Sequence, residues 1–589
     1  MTVRRWITFP PRAGRPVFDG PDLLALVVLS ASCQALYLAM TRIAFDCDAL
    51  TFVEMARSLS GQTGHYLPFR GIGYPAFLVA TGQTFFGTFY GTIAVQALLG
   101  IATPPLVYLT LRPVSRSAAL LAAGILIATS LPFMYAKVMI PQQLFMFLVV
   151  GTAYCFSRYY FTRDPRFIYL IGILGVLALF TRGEGLPLLP IFALLSGVWV
   201  LRDSRNQVGH FVLAGVVTAV VFFSYSVARS VVLKDPSVRT SLSNWGGRQL
   251  FLQPYYIQNE QLMRFRRHVL GTEKEGDPEP RLVQPDNGPA SKRFYELMVD
   301  LYSDPRSYRY LEPLLNPESA GGVGNKFDPN NIYYDMFGRF EGRPLDLARN
   351  VFDKPHEVYF DNLWPLMDKR LGIAESNALF QAVTYEAIKK NPDILLAFVH
   401  NAAWYLGIDL LSILEGHATV PETLRQITAW ASEDRTVPGN FLGGVIRNYV
   451  FNMYLYPPFN VANCARSGLP ASMFQEYERD FANTDQIGLA ALLPLLEAFS
   501  VIVMFVAGVG FVVLSWVLVV SRQKVLWLGF ASSAIAMLAI VSLANTTSAK
   551  YDPSLWPLVV MVFSGALLTL IKMCGRRFWP GRSRSLADV

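Results

Sequence analysis

Ten apolar stretches, at about 22–44, 91–111, 117–136, 139–161, 167–181, 185–201, 209–228, 497–520, 525–546 and 554–572, dictate what this chain can become. Each is long enough, or nearly so, to cross a hydrocarbon layer as a helix, for which about 17 residues is the lower limit. Inside lipid a segment must satisfy its own backbone hydrogen bonds, so runs of this length and composition fold as α-helices. Composition agrees. Of 589 residues 52% are hydrophobic and only 16% charged, where a soluble domain carries about 25%, and the mean hydropathy is +0.34. The expected fold is an all-α polytopic membrane protein of about 10 transmembrane helices, with nine to thirteen allowed because several stretches are short.

The formal net charge of +8 belongs to short loops beside the apolar runs. Arg4, Arg5, Arg12 and Arg15 precede the first run; Arg112, Arg116, Arg158, Arg163, Arg166, Arg202 and Arg205 fall in later loops; Arg522 and Lys524 follow the eighth run, and a basic tail closes the chain. With ten spans all of these fall on one side, which the positive-inside rule makes the cytoplasm, with both termini there. That distribution argues for orientation signals and against nucleic-acid binding. The basic start MTVRRWITFPPRAGRPVFDG leads into a run longer than a signal-peptide core, so the first span is expected to be retained.

Three regions follow: an N-terminal transmembrane module with its first loop (1–229), a long extracytoplasmic region of mixed, mainly helical structure (230–490), and C-terminal helices with a basic tail (491–589). Helical stretches within the long region are expected at Glu375–Lys390 and Asp393–Leu414. Five cysteines show no CxxC, and six histidines show no HExxH or HxxxH pair, so no metal site is expected. Whether Cys47 and Cys464 pair outside the cytoplasm or stay as two thiols is open. No glycine pattern forms a P-loop or dinucleotide fingerprint, which argues against nucleotide sugars.

The stretch Phe45–Pro75, FDCDALTFVEMARSLSGQTGHYLPFRGIGYP, carries Asp46 and Asp48 where chain leaves the first span. From Asp48 onward Leu50, Phe52 or Val53, Met55, Ala56 and Leu59 recur at helical spacing, with Glu54 and Arg57 on the other side, which predicts an amphipathic helix lying in the interface. A partly desolvated carboxylate there suits a catalytic base meeting a lipid-borne substrate. The plainer alternative is an aspartate capping the helix.

Asp48-x-x-x-Phe52-x-Glu54-x-Ala56-Arg57, followed by Gly73-Tyr74-Pro75, resembles the first extracytoplasmic loop of the C-type glycosyltransferase superfamily, and in particular the protein O-mannosyltransferase-like enzymes and aminoarabinose transferases. Shorter matches run in the same order along the chain. Met139-Ile140-Pro141-Gln142-Gln143-Leu144-Phe145 is similar to the segment opening the fourth span, though an acid usually stands where this chain has Gln142 or Gln143. Leu179-Phe180-Thr181-Arg182-Gly183-Glu184-Gly185-Leu186 resembles the family's L-T-R-P-E-G turn, RTSLSNWGGRQL (239–250) and Glu386–Pro392 resemble two later stretches, and Lys550-Tyr551-Asp552-Pro553 stands where Arg-Tyr precedes the last span.

The resemblance implies an integral-membrane enzyme whose donor is a polyprenyl-phosphate sugar, with no other cofactor and with Asp48 as base and Asp46 beside it. The acceptor is a glycan, lipid or protein hydroxyl on the extracytoplasmic face. Short loops and cysteine use fit a bacterial cytoplasmic membrane, with the endoplasmic reticulum as the alternative. Arg182, Lys550, Arg70, Lys137 and Arg229 lie near span ends against the positive-inside trend. Arg182, Lys550 and Arg70 are the expected contacts of the donor phosphate, with headgroup snorkelling, or pairing of Arg182 with Glu184, as the alternative. Tyr74, Glu184 and Tyr551 are the expected substrate contacts; an aromatic belt is the competing use of the tyrosines. Two rival functions are a lipid-linked glycan polymerase or ligase and a transporter or flippase. The latter would show paired charges in mid-span and two related halves; this sequence has few mid-span charges, Glu497 near a span edge being the nearest exception, and no such symmetry.

Overall fold

The computed structural model describes residues 20–41, 43, 47–62, 71–203, 205–232, 285–303, 370–390, 506–521, 523–544 and 555–578, with a few isolated positions besides. No strand occurs among them. The helices are α1 (Gly20–Met40), α2 (Cys47–Leu59), α3 (Gly73–Ala80), α4 (Gln83–Phe86), α5 (Tyr90–Leu111), α6 (Arg116–Ala128), α7 (Leu131–Met134), α8 (Gln142–Thr162), α9 (Arg166–Thr181), α10 (Leu188–Asp203), α11 (Val208–Val232), α12 (Pro289–Ser303), α13 (Ile373–Lys390), α14 (Lys524–Ala544) and α15 (Trp556–Phe578).

All ten apolar stretches are occupied by apolar helix. Six helical segments are long and apolar enough to cross a membrane: Gly20–Ala39, Tyr90–Leu111, Gln142–Thr162, Gly183–Arg202, Arg205–Val231 and Trp556–Cys574. Four shorter apolar helices, Arg116–Ala128, Arg166–Thr181, Val506–Leu518 and Lys524–Ile540, fill the other positions. The chain is an all-helical, multi-pass membrane protein.

Burial sorts the helices into centre and rim. The α8 segment is 78% buried inside the bundle, while that of α11 is 11% and that of α1 22% buried. An aromatic stack explains the central place of α8: Phe156 lies 4.5 Å from Phe192 and 5.2 Å from Trp199, both on α10, and meets Phe530 of α14 at 6.2 Å. Between lipid-facing helices there is no hydrophobic drive to associate, so close backbone approach matters more. Gly172 of α9 supplies it against α11, where a Cβ would stand 2.1 Å from Thr218 Oγ1.

At the end of the bundle where α1 begins, the Arg116 guanidinium donates two hydrogen bonds to Asp22, at 2.7 and 2.8 Å, and the Tyr108 hydroxyl donates a third at 2.9 Å. This clamp ties α1, α5 and α6 together and fixes which ends lie side by side. The opposite end carries the first loop. There the 117–136 stretch departs from the single span expected. α6 stops after 13 residues, Ser130 adopts a left-handed backbone with φ 56°, and only the short turn α7 follows before α8 starts at Gln142.

The described part of the long region is the pair α12 and α13. Phe294 and Phe380 meet edge to face at 5.4 Å between them. Glu386 accepts from the backbone N–H groups of Ala290 and Ser291, at 2.8 and 2.7 Å, and so caps the start of α12. The predicted helix at Glu375–Lys390 is present as α13.

Candidate active site at the first-loop end

Residues 129–141 are mostly irregular chain lodged among helices, which lipid-embedded backbone tolerates only when its polar groups are satisfied by protein. Two glutamines do this. Gln34, six residues before the end of α1, donates from Nε2 to the Phe133 carbonyl at 3.2 Å. Gln96, six residues into α5, donates from Nε2 toward the carbonyls of Ala136 at 3.0 Å, Val138 at 3.1 Å and Tyr135 at 3.3 Å. At 1.5 Å rise per residue both stand roughly 9 Å below their helix ends. Gln142 and Gln143, where the family pattern has an acid, are both buried at the start of α8.

Gln96 also reaches the first loop. The Tyr74 hydroxyl donates to Gln96 Oε1 at 3.0 Å. The Tyr74 ring is fully buried, stacked on Phe77 at 5.7 Å and met edge-on by Phe52 of α2 at 5.3 Å. Burial holds its phenol well above the usual tyrosine range, so the hydroxyl stays protonated and donates. The ring offered to a sugar by the sequence reading is packed on both sides in this arrangement.

α2 forms as predicted, but not as a helix with one wet face. Ala49, Thr51, Phe52, Val53, Glu54, Met55, Ala56 and Ser58 are all buried. Glu54, expected opposite the apolar face, is instead covered and accepts from Arg57 Nη1 at 3.1 Å. Pairing one turn apart lets the helix bury a carboxylate with its counter-charge. Asp48 belongs to the first turn of α2, four residues before Phe52 in sequence.

Two motifs about a hundred residues apart meet here. A Cβ on Gly73 would lie 2.5 Å from the Phe180 carbonyl oxygen and 2.8 Å from the Thr181 nitrogen. Only glycine lets the Gly73-Tyr74-Pro75 turn sit directly on the backbone that ends α9. Tyr225 of α11 reinforces the joint. Its ring stacks on Phe180 at 3.5 Å, and its hydroxyl accepts from the Ile72 N–H at 3.2 Å.

The next residue past that joint is Arg182, in extended backbone, followed by a tight turn over Gly183–Gly185. Its guanidinium grips Glu184 with two bonds, Nη2 to Oε1 at 2.7 Å and Nε to Oε2 at 3.2 Å. Both residues are buried, and the guanidinium lies 5.8 Å from the Phe145 ring centre. So the turn joins Arg182, Glu184 and the first-loop turn at one end of the bundle. Apart from this turn, an apolar cavity of about 290 Å³ opens between α9, α10 and α11, lined by Ile168, Ile171 and Gly172 near the start of α9 and by Phe211 and Ala214 near the start of α11.

Lys137, on the irregular segment, donates to the Thr41 carbonyl at 2.8 Å, just past the end of α1. Asp46, Arg70, Lys550, Tyr551 and Cys464, and the side chains of Asp48 and Cys47, lie outside the described residues. Among the described residues no three His, Cys, Asp or Glu side chains gather as metal ligands would. The sequence reading passed over Gln34 and Gln96, although polar residues inside apolar runs were the available signal.

Comparison with known proteins returns one family. Residues 73–231 match the model of the family described as dolichyl-phosphate-mannose-protein mannosyltransferase. The match starts at Gly73, runs through α11, and includes the Met139–Phe145 and Leu179–Leu186 motifs. It meets the resemblance read from those motifs; the Asp48 helix lies before it. No curated protein and no solved structure matches the chain.

Proposed function

We propose that this protein is a membrane glycosyltransferase that moves a sugar from a polyprenyl-phosphate carrier to an acceptor hydroxyl on the extracytoplasmic face, with inversion at the anomeric carbon. The family match carries the coarser part, sugar transfer within the membrane from a lipid-linked donor. The single observation that carries the site is the seating of Gly73 on the Phe180–Thr181 backbone, which joins the first-loop turn to the Arg182–Glu184 turn.

In this reading Asp48 takes the proton of the acceptor hydroxyl as its oxygen bonds to the sugar's anomeric carbon. The bond from that carbon to the phosphate oxygen breaks, and its electron pair leaves with the lipid phosphate. Asp46 stands beside the base. Arg182, Arg70 and Lys550 stabilise the leaving phosphate without a metal. Glu184 holds the Arg182 guanidinium in one orientation, and Tyr551 approaches the sugar. The family name offers mannose as the sugar and protein as the acceptor to try first. The basic loops favour both termini in the cytoplasm, and the short loops and cysteine use suit a bacterial cytoplasmic membrane.

The test is transfer from polyprenyl-phosphate mannose by purified protein in lipid. Wild type transfers the sugar, and Asp48→Asn lowers turnover by about 100-fold or more, the scale of a lost general base. Near-normal turnover by Asp48→Asn removes that residue from the mechanism.

A further inference from the structure

We propose that the cavity between α9, α10 and α11 is a binding site for an anionic phospholipid, with an acyl chain in the cavity and the phosphodiester headgroup against the basic loops at the end of the bundle where α1 begins. The site is separate from the sugar-transfer site at the first-loop end and does not depend on it.

The cavity has a floor and an open side. Ile171, Ser196 and Ala214 are buried along it, whereas Pro190, Ala193 and Gly215 are exposed. The open side belongs to the rim of the bundle. Val212, Leu213 and Val216 of α11 are more than half exposed, and the α11 span is only 11% buried. In a membrane such a surface meets hydrocarbon. An apolar hollow of about 290 Å³ stays dry and takes up apolar matter instead, which in a bilayer is a lipid chain. One polar group interrupts the lining. Ser196 is 1% exposed, and its hydroxyl has no hydrogen-bond partner among the described residues. A buried hydroxyl costs free energy until an acceptor reaches it. The ester carbonyl of a phospholipid is such an acceptor, attached to an acyl chain, and an isoprenoid chain carries none.

Charge at one end of the cavity selects the headgroup. Tyr169, next to Ile168, and His210, next to Phe211, are hydrogen-bonded at 3.2 Å and join α9 to α11 there. The α8–α9 and α10–α11 connections lie side by side at this end. Gln207 Nε2 donates to the Arg163 carbonyl at 2.5 Å, and the Tyr159 hydroxyl donates to Gln207 Oε1 at 3.0 Å. The two connections and the helix ends they join carry Arg158, Arg163, Arg166, Arg202 and Arg205 against Asp164 and Asp203. Arg166, Arg202 and Arg205 are exposed, and Arg166 stands two residues before Ile168 of the cavity wall. Orientation in the membrane asks only that such charges lie on one side. Arginines gathered beside a chain-sized apolar hollow are the arrangement that holds a phosphate headgroup together with its tail.

Native mass spectrometry of the full chain, released from nanodiscs of equal parts dioleoylphosphatidylglycerol and dioleoylphosphatidylcholine, tests the site. Wild type retains phosphatidylglycerol in preference to phosphatidylcholine. A Cβ on Gly215 meets nothing within 4 Å, so Gly215→Leu fills the cavity without displacing its neighbours. It lowers retained phosphatidylglycerol by about 10-fold or more, the scale of a few methylene groups losing their place. Arg166→Gln combined with Arg205→Gln still retains lipid but lowers the preference by about 10-fold. Retention that Gly215→Leu leaves unchanged, or a preference that the double arginine variant leaves unchanged, puts the lipid elsewhere and overturns the proposal. Equal retention of the two lipids by wild type, or of neither, overturns it as well, and each of these outcomes leaves the proposed sugar transfer standing. Should Gly215→Leu fail to fold, Ala193→Leu narrows the same cavity from α10 and decides by the same measure.

Discussion

Two regions of this chain handle charge in opposite ways. At the first-loop end Arg182 and Glu184 pair with side chains only 6% and 10% exposed. In the α12–α13 pair, Arg293 meets Glu375 with both side chains 50% exposed, and Arg370 pairs with Asp300 in the same manner. Water competes for the second kind of pair and screens it, so such bridges contribute little. Away from water a broken pair strands a charge. The buried pair therefore fixes geometry, whereas the exposed ones only favour a docking that Phe294, Phe380 and the Glu386 cap already set.

The sharpest way to break this contrast is Glu184→Leu. Removing the carboxylate from a buried guanidinium costs about 3–5 kcal/mol, read as a large fall in thermal midpoint of the solubilised protein. A loss no greater than that of an exposed pair would make the two regions alike. Gly73→Ala comes next, at roughly 1–3 kcal/mol, because its methyl group meets backbone that cannot rotate away. Transfer activity falls with it, since the first-loop turn is pushed off the Arg182 turn.

The smallest effect belongs to the exterior pair of helices. Arg293→Ala changes stability by about 0–1 kcal/mol, and added salt erases even that. Acid sharpens the point. Burial works against the Glu386 carboxylate, but the Ala290 and Ser291 N–H bonds outweigh it and lower its pKa. A group with a lowered folded-state pKa stabilises above its unfolded value and loses that contribution as pH falls through the folded one. Hydrogen exchange at the start of α12 should therefore quicken on acidification through the carboxylate range, and Glu386→Gln should remove the pH dependence.

Much of the fold was legible because hydropathy alone marks a membrane helix. All ten stretches hold apolar helices, and the spacing of Phe52, Met55, Ala56 and Leu59 found α2. What escaped was set by contacts between distant residues. Nothing in the pattern around Glu54 announces that other parts of the chain cover it, nor does the apolar run 117–136 reveal that α6 halts at Ala128. Pro132 shortly beyond that halt was the one local clue. The Gly-Tyr-Pro and Thr-Arg-Gly-Glu-Gly motifs were readable as motifs. That the first glycine abuts the backbone before the second motif could not be read from spacing.

The early stop of α6 has a consequence for the surrounding lipid. Thirteen residues make a helix roughly 20 Å long, against a hydrocarbon layer of about 30 Å. Lipid beside such a short wall thins or dips toward it. The headgroup plane then sinks locally, and the phosphate of the proposed lipid-linked donor meets the protein with its tail still in oil. On that view the protein brings its donor close by shaping the membrane, not by lifting the lipid out of it.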